Sequence, residues 1–128
     1  MKNTIFLTTD THANFINDAR LSTFPEEGGP QDSGINEVVT GPVATKNFGL
    51  EIDDSTGREG SGAQLRAAFF KPPPPDGVGM RCSVIDKFSY GQVRVTSTQL
   101  TVTPKGIDGK PLNEPEGTPC GPVVLTAK

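Results

Sequence analysis

Apolar and polar residues alternate with a period of two through much of the second half of the chain, and only fitfully through the first. Val78, Met80, Cys82 and Val84 alternate with Gly79, Arg81 and Ser83, which is the signature of a strand with one buried face. Beyond a turn around Ser89-Tyr90-Gly91, Val93 and Val95 alternate with Gln92, Arg94 and Thr96, and Leu100 and Val102 with Thr101 and Thr103. These runs predict an antiparallel meander with one dry and one wet face. Asp108-Gly109 predicts a hairpin turn, and Pro122 to Thr126 a last strand. Gly79 and Gly91 predict bulges or close backbone approach.

The first half is read piece by piece. Ile5-Phe6-Leu7 is a short apolar run of strand formers, expected to be buried, with Thr8-Thr9-Asp10 as its exit. Phe15 to Leu21 is expected to be a short extended segment and Ser22 to Gly34 a surface loop, too poor in apolar residues to repay ordering. Ile35 to Thr40 is a strand ended by Gly41-Pro42; Lys46 to Ile52 has no clear period, and Asp53 to Gly62 reads as a loop. One short helix follows, capped by Ser61 or Gly62, with Leu65, Ala68 and Phe69 on one stripe. Pro72 to Pro75 stop it and form a stiff polyproline connector. The fold class is therefore α+β, strand-dominated, in a single domain covering residues 1–128.

Composition narrows the field of functions. With 15 glycines and 12 prolines the chain exceeds the usual usage of about 12% for these two, so turns are many. A net charge of −3 without any cluster of Lys or Arg gives no footprint for nucleic acid, and no run approaches the ~18 apolar residues of a membrane span. Neither partner is expected. Cys82 and Cys120 lack metal or redox spacing, so they are either two buried thiols or one disulfide; the disulfide is favoured, because Pro119-Cys120-Gly121-Pro122 is a stretch that a staple would fix.

Candidate chemistry concentrates at the exit of the first strand. Asp10 and the chain's single histidine, His12, are two residues apart, and in extended chain such residues point the same way, roughly 6.6 Å apart. A bend between them brings a carboxylate and an imidazole onto one cation at about 2.0–2.6 Å. Spacing alone equally suits a turn residue and a loop histidine. Glu37 reads as an outward strand carboxylate, and Asp53 and Asp54, as sequence neighbours, are expected to diverge rather than share a metal.

Four segments in the same order, Phe6-Leu7-Thr8-Thr9-Asp10-Thr11-His12-Ala13-Asn14-Phe15, Thr40 to Thr45, Pro72 to Met80 and Tyr90 to Thr96, resemble the C-terminal part of a PhoD-like phosphatase. That family, alkaline phosphatase D, belongs to the metallophosphatase superfamily. The resemblance implies a four-layer sandwich of two β-sheets with flanking helices, hydrolysis of phosphate mono- and diesters, and a calcium and iron cluster at the sandwich mouth. It makes Asp10 and His12 metal ligands and suggests a substrate-binding role for Asn14, which equally suits a turn. Thr9 stands where many members carry glycine. The family's other ligand motifs, an aspartate-rich pair, an Asp-x-x-Tyr element and an Asn-containing loop, do not occur. The chain is accordingly expected to be the terminal portion of an enzyme, to be inactive alone, to derive from an exported parent although it carries no export signal itself, and to self-associate through surfaces the remainder would cover. The alternative is a non-enzymatic β-rich structural or binding module.

Overall fold

The computed structural model describes residues 4–22, 26, 28, 29, 31–71 and 79–127. Two sheets lie one over the other, with helices on the outer face of the first. The first sheet has the order β1-β3-β2-β4, from β1 (Thr4–Thr8), β2 (Asn14–Ser22), β3 (Gln31–Val39) and β4 (Met80–Val84). β1 runs parallel to β3, and the other neighbours are antiparallel. The second is the antiparallel meander β5 (Ser89–Val95), β6 (Gln99–Gly106) and β7 (Val123–Thr126). Helices α1 (Phe48–Thr56) and α2 (Ser61–Leu65) precede a π-helical turn, Arg66–Phe70. The strand-dominated α+β sandwich predicted from the sequence is what forms.

The core has two parts because the first sheet is covered on both sides. Ile16, Val38, Cys82 and Val84 meet Val102, Leu112, Cys120 and Val123 between the sheets. On the other face Ala13, Phe15, Val39 and Ile85 pack under Phe48 and Phe70. Residues that alternate between these faces are all buried from Ala13 to Ile16. That double burial removes the alternation at the start of β2, whereas from Asn17 onward the strand is half-buried or exposed and mixes polar and apolar residues. A disulfide joins Cys82 on β4 to Cys120 just before β7 and so ties one sheet to the other inside the core.

Several expectations change. β1 is an edge strand, not a buried one, with Phe6 and Leu7 exposed. β2 is a nine-residue central strand rather than a short segment, and β3 begins at Gln31, inside the expected loop. The Met80 to Val84 run does not join the meander, because β4 pairs with β2 in the other sheet. Val93 and Val95 are exposed, on β5, which is itself an edge strand. There are two helices and a π turn instead of one helix: Asn47, whose side chain accepts from the Leu50 N–H at 2.9 Å, starts α1 in the stretch without a clear period, and the helix runs on into the expected Asp53 to Gly62 loop, where Gly57 in left-handed conformation ends it. Gly60 rather than Ser61 or Gly62 caps α2. The i→i+5 winding of the π turn rotates Phe69 into solvent and Phe70 onto Phe15 and Phe48, with ring centroids 5.1 and 6.1 Å apart. The polyproline run and Val78 lie outside the described residues.

Other local readings hold. Gly91 has room for no side chain, because a Cβ there would stand 2.6 Å from Thr40 Cγ2, and Gly79 is equally tight against the Asp18 carbonyl. The turn after β6 closes with the Gly109 N–H on the Gly106 carbonyl at 2.9 Å, Gly109 being left-handed.

The exposed edge of β4 is covered by side chains. Glu114, from the segment between β6 and β7, accepts the Ser83 N–H at 2.8 Å, while Arg66 Nε donates to the Ser83 carbonyl at 2.6 Å and Lys71 Nζ to that of Arg81 at 3.2 Å. Arg66 also pairs with Glu114 and Glu116, each at 3.0 Å, and Lys71 with Glu114 at 3.2 Å. The Glu114 side chain is 1% exposed and that of Arg66 12%. The hydrogen bond and charge of Arg66 hold the Glu116 carboxyl below its ordinary range.

Two outcomes follow for stability. Truncation by Glu114→Ala, which removes the buried partner shared by Arg66 and Lys71 and leaves a strand N–H unbonded, lowers the unfolding free energy by roughly 3–5 kcal/mol in urea denaturation, against less than about 1 kcal/mol for the half-exposed Glu116→Ala. Reduction of Cys82–Cys120, separated by 38 residues, lowers it by about 4 kcal/mol on the chain-entropy account, read from midpoints with and without reductant.

Candidate functional site

The loop leaving β1 is built on a tight backbone. Asp10 and His12 are the only non-glycine residues with positive φ among those described, at 81° and 55°. This is the left-handed region, which side chains other than Asp, Asn and His seldom adopt. The pair is therefore not extended, as its spacing suggested, but folded into two left-handed steps around Thr11. Both residues line one open cavity of about 290 Å³, walled also by Thr40, Pro42, Ser89 and Tyr90. The opposite wall is fixed by the Ser89 N–H on the Pro42 carbonyl at 2.8 Å and by Ser89 Oγ on that of Gly41 at 2.9 Å.

His12 is held from the side by α1. The Phe48 N–H, one of the unsatisfied donors of the helix start, bonds the His12 carbonyl at 2.9 Å. One turn along, Glu51 Oε1 lies 2.6 Å from His12 Nδ1. The start of the helix is itself anchored, since the Gly49 N–H bonds the Ile85 carbonyl at 2.7 Å. With Nδ1 engaged by a carboxylate, the ring is set in orientation and Nε2 is left as its second nitrogen. Asp10 makes no hydrogen bond or ion pair within the described structure.

Glu51 is the residue that sequence reading missed. It stands 39 positions from His12, so no local spacing betrays it; the available signal was Asn47 as the start of a helix that would place Glu51 in its first turn. Asn14 is buried at the start of β2 opposite Val84, outside the cavity walls, with neither amide atom bonded. Its side chain faces protein rather than the opening. Glu37 accepts from Asn17 Nδ2 at 3.0 Å. Asp53 and Asp54 diverge: Asp53 accepts the N–H groups of Gly62 and Gly60 at 2.8 and 2.9 Å, and Asp54 pairs with Lys46.

The donors fit a cation in kind but not in number. A carboxylate and an imidazole suit calcium and iron respectively, yet among the described residues no three His, Cys, Asp or Glu side chains converge on a metal position. Asp10 and His12 supply two donor groups, fewer than the roughly six to eight oxygens that calcium takes. No family model, no curated protein and no solved structure matches the chain.

The Asp53 clamp, which joins α1 to α2 behind Glu51, gives a pH prediction. The Gly62 and Gly60 N–H groups favour the carboxylate and hold its pKa below the ordinary value. Folding thus gains from ionised Asp53 above the unfolded pKa of about 3.9, and the gain fades as pH falls through the lower folded value. The Gly60 and Gly62 amide resonances are expected to titrate with a midpoint below about 3.9; a midpoint at or above it contradicts the clamp.

Proposed function

We propose that this chain supplies one corner of a metal-dependent phosphoester hydrolase of the PhoD-like type, with Asp10 and His12 as cation ligands and the remaining ligands from groups outside these residues. The single observation that carries the reading is that both residues line one cavity, on strained backbone, with His12 held by Glu51. Strain of this kind costs on the order of 1–3 kcal/mol per residue and is kept where surrounding structure over-determines the loop, commonly at a working site. A carboxylate behind a ligating imidazole is also the usual means of fixing a metal-binding ring.

The roles of the chain's own groups follow. Glu51 takes the Nδ1 proton as acceptor and leaves the Nε2 lone pair for a cation; Asp10, without a competing partner, keeps both carboxylate oxygens available. Ser89 and Tyr90 border the opening, where a polar ester would enter. Calcium or iron, once bound, supplies charge neutralisation for a phosphate ester and acidifies a bound water.

The shortage of converging donors favours a second reading, a β-rich structural or binding module that uses the same fold without catalysis. Calorimetric titration with calcium and with ferric ion separates the two. The hydrolase reading expects binding by the native chain that weakens at least tenfold in Asp10→Ala and in His12→Ala, and about tenfold in Glu51→Gln. Equal, weak uptake by all four proteins supports the module instead.

A further inference from the structure

The two edges of the first sheet are treated in opposite ways. On β4 the outward backbone groups are taken by Glu114, Arg66 and Lys71. On β1 no described residue bonds the outward side, and its five residues, Thr4-Ile5-Phe6-Leu7-Thr8, carry no charge and no proline. Charges, prolines and bulges are what natural sheets use to keep an edge from pairing. β1 has none of them.

Its surroundings are equally open. β1 lies parallel to β3, and parallel pairs are normally covered on both faces, yet Phe6 is 54% exposed and Leu7 49%. The outer strand of the second sheet runs beside it: Gly91 touches Thr40, whose N–H bonds the Thr8 carbonyl, while Val95 and Ile5 line one cavity. Val93 and Val95, 45% and 69% exposed, therefore flank the same open side of the sandwich.

We propose that a second copy of this chain covers that side by pairing its β1 with this one, antiparallel, about a twofold axis at Phe6. The occupant is read from the strand itself. Reversed about its centre, Thr-Ile-Phe-Leu-Thr sets Thr4 opposite Thr8, Ile5 opposite Leu7 and Phe6 opposite Phe6, so hydroxyl meets hydroxyl, aliphatic meets aliphatic and ring meets ring. A twofold contact demands this self-complementarity. The uncharged edge adds no repulsion beyond the small net charge of −3. The product is one eight-stranded sheet in the order β4-β2-β3-β1-β1-β3-β2-β4, both of whose ends carry the Glu114 cover. The inference is independent of any metal at Asp10 and His12.

Sedimentation of the full chain at about 100 µM, well above a micromolar dissociation constant, tests it. The native chain is expected at twice its 13.5 kDa mass. Phe6→Lys, which sets like charges across the axis, raises the dissociation constant at least tenfold, while Phe69→Lys, an exposed ring elsewhere, leaves it unchanged. Should Phe6→Lys fail to fold, mild oxidation of Phe6→Cys decides: residues paired across strands stand about 5 Å apart, within disulfide reach, so a covalent dimer forms, whereas Thr4→Cys, about four residues out of register, gives none. A native monomer at this concentration, a dimer unaffected by Phe6→Lys, or equal cross-linking of Phe6→Cys and Thr4→Cys overturns the proposal.

Discussion

One carboxylate organises the molecule. Glu114 is buried, and a buried charge is tolerable only where its lone pairs are filled; here an arginine, a lysine and a strand N–H fill them. The carboxylate and its donors come from three parts of the chain. Ser83 is on the edge of the first sheet, Arg66 and Lys71 bracket the π turn, and Glu114 itself sits in the long connection between the second and third strands of the other sheet. The group contributes less through net attraction, which desolvation largely offsets, than by permitting only one arrangement of these three segments.

That arrangement reaches the candidate site through packing. With Arg66 fixed on the Ser83 carbonyl, the π turn presents Phe70 to Phe15 and Phe48, and Phe48 begins the helix whose first turn carries Glu51. The helix start is then docked on the His12 loop by the Phe48 N–H, and Glu51 meets the imidazole. A side chain at the β4 edge of the first sheet is thus linked to His12 by an unbroken series of contacts. The same network closes one sheet edge while the opposite edge, next to the loop, stays bare.

How far the sequence announced this differs by element and for physical reasons. The one-face-wet strands β6 and β7 and the turn at Asp108-Gly109 were legible, because local periodicity and turn chemistry report directly on them. β2 was not, since its first residues are buried on both faces and the rest is only half-buried. The exposure of Phe6, Leu7, Val93 and Val95 was not either: apolar alternation says that a strand has an apolar face, and only the sheet order says whether anything lies upon it. Asp10 and His12 stood out by residue type and position, but the φ values that fold them together, and the glutamate that holds the ring, arise from contacts across 39 residues. The α1 helix was hidden by acidic, glycine-rich flanks that resemble a loop, although Asn47 and Gly57 mark its two ends.

The loop at Asp10 and His12 also bears on what kind of site it is. A left-handed aspartate and a left-handed histidine in alternate positions each oppose the intrinsic preference of an L-residue, and the cost is met by the Thr8 to Thr40 ladder on one side and the Phe48 and Glu51 contacts on the other. Glycine would adopt the same φ without that cost. Restraint from two elements fixes the loop backbone and the imidazole, while the Asp10 carboxylate has no partner among the described residues.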